Sequence, residues 1–205
     1  MLNPSLASTH EWYALFLAPL GRLDEAIREI RKAIELDPLS PFNHAGCGYV
    51  LLQARRYKEA VVETERALQI DPHFPPALAT QATALALNGE FDQALATAEK
   101  MLSVHGRFAR SLCIYGYVCA ASGRREEALA VATEIDELAK SNYIVAGSWA
   151  LLWCALGDLD RAFAALEKGA EAGDPTITYL NVHPVLDPMR SDRRYGPLLR
   201  RLNLG

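Results

Sequence analysis

The sequence predicts an all-α fold: a right-handed α-solenoid of five antiparallel helix pairs that ends in a C-terminal capping helix. A recurring turn position carries this reading. Gly21, Arg55, Gly89, Gly123 and Gly157 follow one another at one constant interval. An alanine stands five residues after each (Ala26, Ala60, Ala94, Ala128, Ala162), and a small residue stands seven before each (Ala14, Gly48, Ala82, Gly116, Ala150). Self-similarity at a period of about 34 residues marks stacked supersecondary units whose core is a line rather than a sphere. Half of the 205 residues are hydrophobic and only 8% are aromatic, a composition suited to closely packed helices rich in alanine and leucine.

Each element follows from local chemistry. A first helix is expected from about Ser8 to Leu20, ended by Gly21, because glycine tolerates the left-handed exit of a helix. Asp24 and Glu25 open the second, where carboxylates favour the helix dipole. That helix carries Ala26, Ile27, Ile30, Ala33 and Ile34 as one apolar stripe. Pro38 stops it and Pro41 opens the next unit. Ala14 and Ala26 let the pair approach closely, where a bulky side chain would overpack. The second unit repeats the pattern with Gly48, Tyr57, Ala60, Ala67 and Pro72, and the third with Ala82, Leu85, Gly89, Phe91 and Ala94, Gly106 replacing the closing proline. The fourth has Tyr115, Gly116, Gly123 and Ala128, and its second helix, lacking that proline, is expected to run to about Lys140. The fifth has Trp149, Ala150, Gly157, Leu159, Ala162 and Leu166. Ten helices and no strand result. In the tail, a short helix is expected over Thr176–Leu180. A final one follows from about Arg193 to Leu202, capped by Asp192, with Leu186, Met189, Tyr195, Leu198, Leu199 and Leu202 on its buried side.

The order small, small, glycine, aromatic, alanine, proline resembles the tetratricopeptide repeat signature. The resemblance covers residues 7–176 and divides them into units 7–40, 41–74, 75–108, 109–142 and 143–176, with 177–205 as the cap. Arg55 in place of glycine and Arg125 in place of an aromatic depart from it. Pro4 lies one full period before Pro38, so residues 1–6 read as the remnant of a preceding repeat. The ends of a solenoid need polar caps. Trp12 and Phe16 are not polar, and another chain or domain is expected over them. A second resemblance lies in the tail. Pro184, Leu186-Asp187-Pro188-Met189-Arg190, Asp192, Arg194-Tyr195 and Leu198-Leu199-Arg200-Arg201-Leu202, together with Glu11-Trp12-Tyr13-Ala14 and Leu20-Gly21-Arg22-Leu23-Asp24-Glu25-Ala26, look like the C-terminal repeat arm of bacterial multidomain signalling proteins. The effector domains of such proteins include winged-helix regulators, nucleotide cyclases and kinases. The resemblance implies a sensory or interaction arm.

Chemistry-bearing motifs are absent from the sequence. It has no Gly-rich phosphate loop, HExxH, GxSxG or CxxC, so no catalytic constellation, metal site or cofactor is expected and the chain does not read as an enzyme. His10 and His44 stand one period apart, which points to equivalent packing roles. Cys47, Cys113, Cys119 and Cys154 sit among apolar helical neighbours and read as reduced thiols of a cytoplasmic protein. No run reaches the ~18 apolar residues of a membrane span. The formal net charge of −4 argues against nucleic acid as a partner. The one basic concentration, Arg190, Arg193, Arg194, Arg200 and Arg201, reads as the solvated face of the last helix, with Asp187 and Asp192 as partners.

The resemblance implies a binding strip along the first helices of the pairs: Glu11, Leu15, Phe42, Ala45, Tyr49, Leu52, Pro76, Ala79, Thr83, Arg110, Cys113, Tyr117, Ile144, Gly147 and Leu151. Its contact residues are expected to be Glu11, Leu15, Phe42, Tyr49, Leu52, Thr83, Arg110, Tyr117, Ile144 and Leu151, with Tyr49 and Tyr117 as amphipathic anchors. The strip is largely apolar and lacks the lysines and asparagines with which chaperone-binding relatives hold a carboxylate. It suits a protein or peptide with an apolar or amphipathic segment. Two alternatives stand beside this: a self-association module through the N-terminal helix, and a small-ligand or peptide sensor coupled to an effector domain.

Overall fold

The computed structural model describes residues 6–202 and 204, and the regular elements among these are all helical. Leu2, Asn3 and Pro4, read above as a repeat remnant, lie outside the described residues. The second helices of the pairs begin at Leu23, Tyr57, Phe91, Arg125 and Leu159, each two positions after its recurring turn residue, so the sequence period is the structural one. That turn residue has a positive φ throughout: 74° at Gly21, 61° at Arg55, 83° at Gly89, 83° at Gly123 and 78° at Gly157. Arg55 is the one non-glycine with positive φ among the described residues. Its turn keeps the left-handed geometry although its side chain disfavours it.

The chain divides into two compact units, residues 1–104 and 105–205. In the first, α1 (Ala7–Leu17) pairs with α2 (Leu23–Leu36), α3 (Pro41–Gln53) with α4 (Tyr57–Ile70), and α5 (Pro75–Leu87) precedes α6 (Phe91–His105). The first helices lie side by side, α1 against α3 and α3 against α5. The α1 helix ends three residues before the expected Leu20, in a turn closed by Gly21 N–H on Ala18 O (3.0 Å). Gly48 sets the close approach of α3 and α4: a Cβ there would lie 2.7 Å from Thr64 Cγ2 and 3.1 Å from Ala60 O. At the pair junction Ser40 Oγ accepts from Asn43 N–H (3.3 Å), and the Asn43 amide donates to Ala33 O and Asp37 O (3.0 Å each), joining the end of α2 to the start of α3. The stripe Ala26, Ile27, Ile30 and Ala33 is buried, each large aliphatic side chain contributing roughly 1.5–3 kcal/mol.

Polar ties recur with the same period. His10 Nδ1 meets Glu29 Oε2 (2.6 Å), and His44 Nδ1 meets Glu63 Oε2 (2.8 Å). Arg22–Glu25 is repeated as Arg56–Glu59 and Arg124–Glu127 at the starts of α2, α4 and α8. The histidines therefore link the two helices of their own pair.

In the second unit α7 (Ala109–Ala121) pairs with α8 (Arg125–Leu138), and α9 (Ala146–Ala155) with α10 (Leu159–Ala172). Without a closing proline α8 still stops at Leu138, two residues short of the expected Lys140, in a turn through Ser141 and Asn142. Arg125, the departure from the aromatic pattern, donates from Nη1 to Leu156 O (2.8 Å) at the end of α9. The α9 helix starts three residues later than its period and has no side-chain cap of its own. Its first amides are satisfied from the far end of its pair: Asp174 Oδ2 accepts from Ala146 N–H (2.7 Å) and Tyr143 O–H (2.8 Å), and Thr176 Oγ1 accepts from Gly147 N–H (3.1 Å).

The tail has the short helix expected over 176–180 and the expected final helix, and adds a second short helix between them. Two 3-10 helices, Pro175–Asn181 and Pro184–Ser191, precede a seven-residue α11 (Tyr195–Arg201). Pro184 opens the second of them and Pro188 lies inside it, which removes donors that a continuous α-helix requires. Ile177, Leu180, Leu186, Met189, Tyr195 and Leu198 are buried, whereas Leu199 and Leu202 are half-buried. Both 3-10 helices pack on α9. Asp192 Oδ1 accepts from Arg194 N–H (2.9 Å), outside α11 proper.

Candidate functional site

In the first unit the strip predicted from the repeat positions is a continuous surface, because α1, α3 and α5 are neighbours. Phe42 is exposed and meets buried Phe74 edge-on, ring centroids 4.7 Å apart at 73°. Glu11, Leu15, Tyr49 and Pro76, the other strip positions on these helices outside the floor, are half-exposed. Burial raises the Glu11 carboxyl above its ordinary value. Ala45 and Ala79 form the floor. Leu52 and Thr83, expected as contacts, are part of that floor too: Leu52 is 1% exposed, and the Thr83 hydroxyl donates to Ala79 O (2.8 Å), one turn back.

The second unit differs. Arg110 is exposed and Ile144 and Gly147 are half-exposed, while Cys113 and Leu151 are buried. Tyr117, expected as the second anchor, is 4% exposed. Its ring is packed among helices and offers almost no surface to a partner, so Tyr117 and Leu151 join Leu52 and Thr83 as structural residues. A recess of about 230 Å³ between the end of α8, the start of α9 and α10 is lined by Asp136, Tyr143, Trp149, Lys168 and others. It is smaller than the ~300–1,000 Å³ usual for small-molecule pockets.

One residue beside the strip gave no signal in the period. Gln53, the last residue of α3, is 2% exposed, and neither Nε2 nor Oε1 has a hydrogen-bond partner among the described residues. A buried, unsatisfied amide costs about 1–3 kcal/mol.

The remaining candidate groups serve the fold. All four cysteines are buried thiols. Burial pushes Cys47 and Cys113 up to about 12 and Cys154 to about 11, which makes them poor nucleophiles. His183 is buried, accepts from Val185 N–H (3.3 Å), and is pushed down to about 4, chiefly by burial. No metal-binding cluster of His, Cys, Asp or Glu occurs among the described residues. Three arginines of the tail, Arg190, Arg194 and Arg201, tie the cap in place. Arg190 pairs with Asp187 (2.7 Å) and donates to Asn181 O (2.7 Å). Arg194 pairs with Asp192 (2.8 Å) and Asp160 (2.7 Å) and lies 4.3 Å over the Phe163 ring, while Arg201 reaches Glu171 (3.4 Å). No helix among the described residues is long and apolar enough to cross a membrane.

Profiles of the tetratricopeptide repeat match residues 7–38, 51–109 and 109–133, spanning the recurring turns at Gly21, Arg55, Gly89 and Gly123. The chain belongs to the tetratricopeptide repeat family. Among solved structures, the TPR chain is similar to TTC0263, a thermophilic TPR protein of Thermus thermophilus. Identity is 20%, with 95% of this chain and 99% of that one covered and a TM-score of 0.66. It is also similar to PilW, a type IV pilus biogenesis factor (17% identity, 88% and 84% covered, TM-score 0.63). A third is YrrB, described as a TPR protein with an unusual peptide-binding site (20% identity, 87% and 92% covered, TM-score 0.54). At these identities the likeness concerns the fold. No match was found among curated protein sequences.

Proposed function

We propose that this TPR chain is a non-catalytic recognition module that binds a protein or peptide along α1, α3 and α5 of the first unit. The observation that carries the reading is the exposed Phe42 ring set edge-on against Phe74, with half-exposed Glu11, Leu15 and Tyr49 at strip positions of α1 and α3. Apolar side chains of an extended or helical segment fill such a surface, and the carboxylate selects a segment with a cation near one end. In the second unit Arg110 and Ile144 are the accessible members of the strip and offer a contact with a cation of its own. Likeness to a protein described as peptide-binding supports the reading.

The tail motif from Pro184 to Leu202 supports placing the chain as the interaction arm of a bacterial signalling or regulatory protein, and four buried thiols support a reducing, cytoplasmic setting. Panning a random peptide display library on the chain tests the binding reading. The expected result is enrichment of peptides with spaced apolar residues and a basic residue, with binding lost in the Phe42→Ala/Tyr49→Ala double variant. Absence of enrichment, or enriched peptides indifferent to both substitutions, would overturn it.

A further inference from the structure

We propose that the chain forms a closed two-fold dimer through α1, with Phe16 of the two copies meeting on the axis. Trp12, Phe16 and Leu20 follow at intervals of four residues along α1 and its exit turn, and are 69%, 61% and 55% exposed. Leu6, at the start of α1, is exposed as well. This surface is separate from the strip around Phe42.

Repeat equivalence says what kind of element covers it. The positions corresponding to Phe16 in the later first helices are Val50, Ala84, Val118 and Leu152, all fully or almost fully buried. In the first unit a Cβ on Gly46, the equivalent of Trp12, would lie 3.4 Å from Ile30 Cδ1 of α2 and 4.0 Å from Glu11 Cγ of α1, so both helices of the preceding pair reach this face. The face is thus one that takes a helix. Its side chains, however, do not suit that seam. The seam rows Gly46-Val50-Ala54 and Thr80-Ala84-Asn88 are built of small and medium residues, whereas a tryptophan and a phenylalanine in the same places would overpack a second helix at that distance. Another copy of α1, carrying the same large residues, interdigitates them instead.

Symmetry and charge favour the second copy further. A row of three centred on Phe16 is self-complementary in an antiparallel crossing: Trp12 meets Leu20 of the copy, and Phe16 meets itself. Ridges of i, i+4 residues pack at a crossing angle of about −50°. Glu11 is the one acidic or basic residue of α1 besides His10, and it lies half-buried on the strip around Phe42, while His10 is tied to Glu29, so the face brings no like charges together. A two-fold contact uses the same face on both copies and so closes at two. The exposed parts of the row and Leu6 amount to roughly 500 Å² per copy. A dimer removes roughly 1,000 Å² from water, at the lower end for specific association, and a dissociation constant on the order of 1–100 μM is expected.

Sedimentation velocity of the full chain from 1 to 500 μM tests this, alongside Phe16→Asp, whose folding is checked by circular dichroism. The expected result is a monomer–dimer equilibrium without larger species, with association weakened at least tenfold in Phe16→Asp. A second reading is independent of that substitution. Phe16→Cys is expected to form an intermolecular disulfide under mild oxidation, whereas Leu129→Cys, an exposed site on α8, does not. Monomer at 500 μM would overturn the proposal and leave the face to a helix of another protein. A dimer that survives Phe16→Asp, open-ended growth, or equal cross-linking at both cysteines would also overturn it.

Discussion

Asp174 offers the most direct test of how the second unit is held. Its carboxylate, 6% exposed, accepts four hydrogen bonds: Ala146 N–H (2.7 Å), Tyr143 O–H (2.8 Å), Thr176 N–H (2.8 Å) and Thr176 O–H (2.7 Å). Two of these tie the last turn of the fifth pair to the start of α9, which has no cap of its own. Asp174→Ala removes the acceptor of the Tyr143 O–H and strands the buried Ala146 N–H that opens α9, the stranded amide costing about 1–3 kcal/mol. The remaining bonds to Thr176 are local and rearrange. A net loss of about 1–3 kcal/mol is expected, or roughly 2–12 °C in Tm at ~2–4 °C per kcal/mol for a chain of this size. Asp174→Asn should lose nearly as much, since its amide turns donors toward donors. The sign of the pH dependence follows from the same contacts. Burial raises the Asp174 carboxyl, but the bonds from Thr176, Ala146 and Tyr143 outweigh it and hold the group below its ordinary value. Its contribution is therefore complete above the unfolded pKa of ~3.9 and is lost as pH falls through the lower folded value. Urea denaturation followed by circular dichroism at pH 7 and at successive steps below pH 4 measures both effects. A change in Asp174→Ala at pH 7 under about 0.5 kcal/mol, the range of an inconsequential surface substitution, would refute the argument. So would an acid limb unchanged in Asp174→Asn.

Other substitutions follow from the same geometry. Arg55→Gly relieves the 61° φ at a turn where the other repeats carry glycine and should stabilise by about 1 kcal/mol. Gly89→Ala, whose Cβ meets nothing within 4 Å, should destabilise by a similar amount through backbone strain alone. Opposite shifts in urea midpoint are the check. Gly169→Ala would overlap the Ala146 methyl and crowd Ile177 Cγ2 at 3.2 Å. It should cost roughly 1–3 kcal/mol, read as a lowered Tm. Gln53→Met replaces an unsatisfied buried amide with an apolar side chain of similar length and should raise the urea midpoint, by about 1 kcal/mol.

Much of this fold is legible in the sequence because its determinants are periodic. The starts of α2, α4, α6, α8 and α10, the left-handed turns and the His10–Glu29 and His44–Glu63 ties all recur with the repeat. Glu29 and Glu63 stand at one common spacing from their histidines, which is the signal by which sequence alone could reveal those ties. What escaped depends on groups distant in sequence or on the bulk of neighbours. The α9 helix starts late because its capping carboxylate lies 28 residues downstream. The tail turns to 3-10 geometry where Pro184 and Pro188 interrupt it. Tyr49 and Tyr117 stand at equivalent repeat positions, yet one is half-exposed and the other buried. The period fixes where a side chain starts, while the residues packed beside it decide whether a partner can reach it.

That distinction separates the two kinds of position in the repeat. Residues that recur from unit to unit, such as Ala26, Ala60, Ala94, Ala128 and Ala162, are all fully buried, and each is small because two helices cross there. Residues that differ at one position are the ones free to specify a partner. Ser8, Phe42, Pro76, Arg110 and Ile144 occupy the same place in successive first helices, and none of the five is buried. Their chemistry changes at every step: hydroxyl, aromatic ring, proline, guanidinium, aliphatic branch. None of these side chains belongs to the buried core, so their variety is available for recognition. It gives the first unit an aromatic contact and the second a cationic one. A ligand held by the first unit should therefore depend on Phe42 and be indifferent to Arg110→Ala, which its affinities for the Phe42→Ala and Arg110→Ala variants would show.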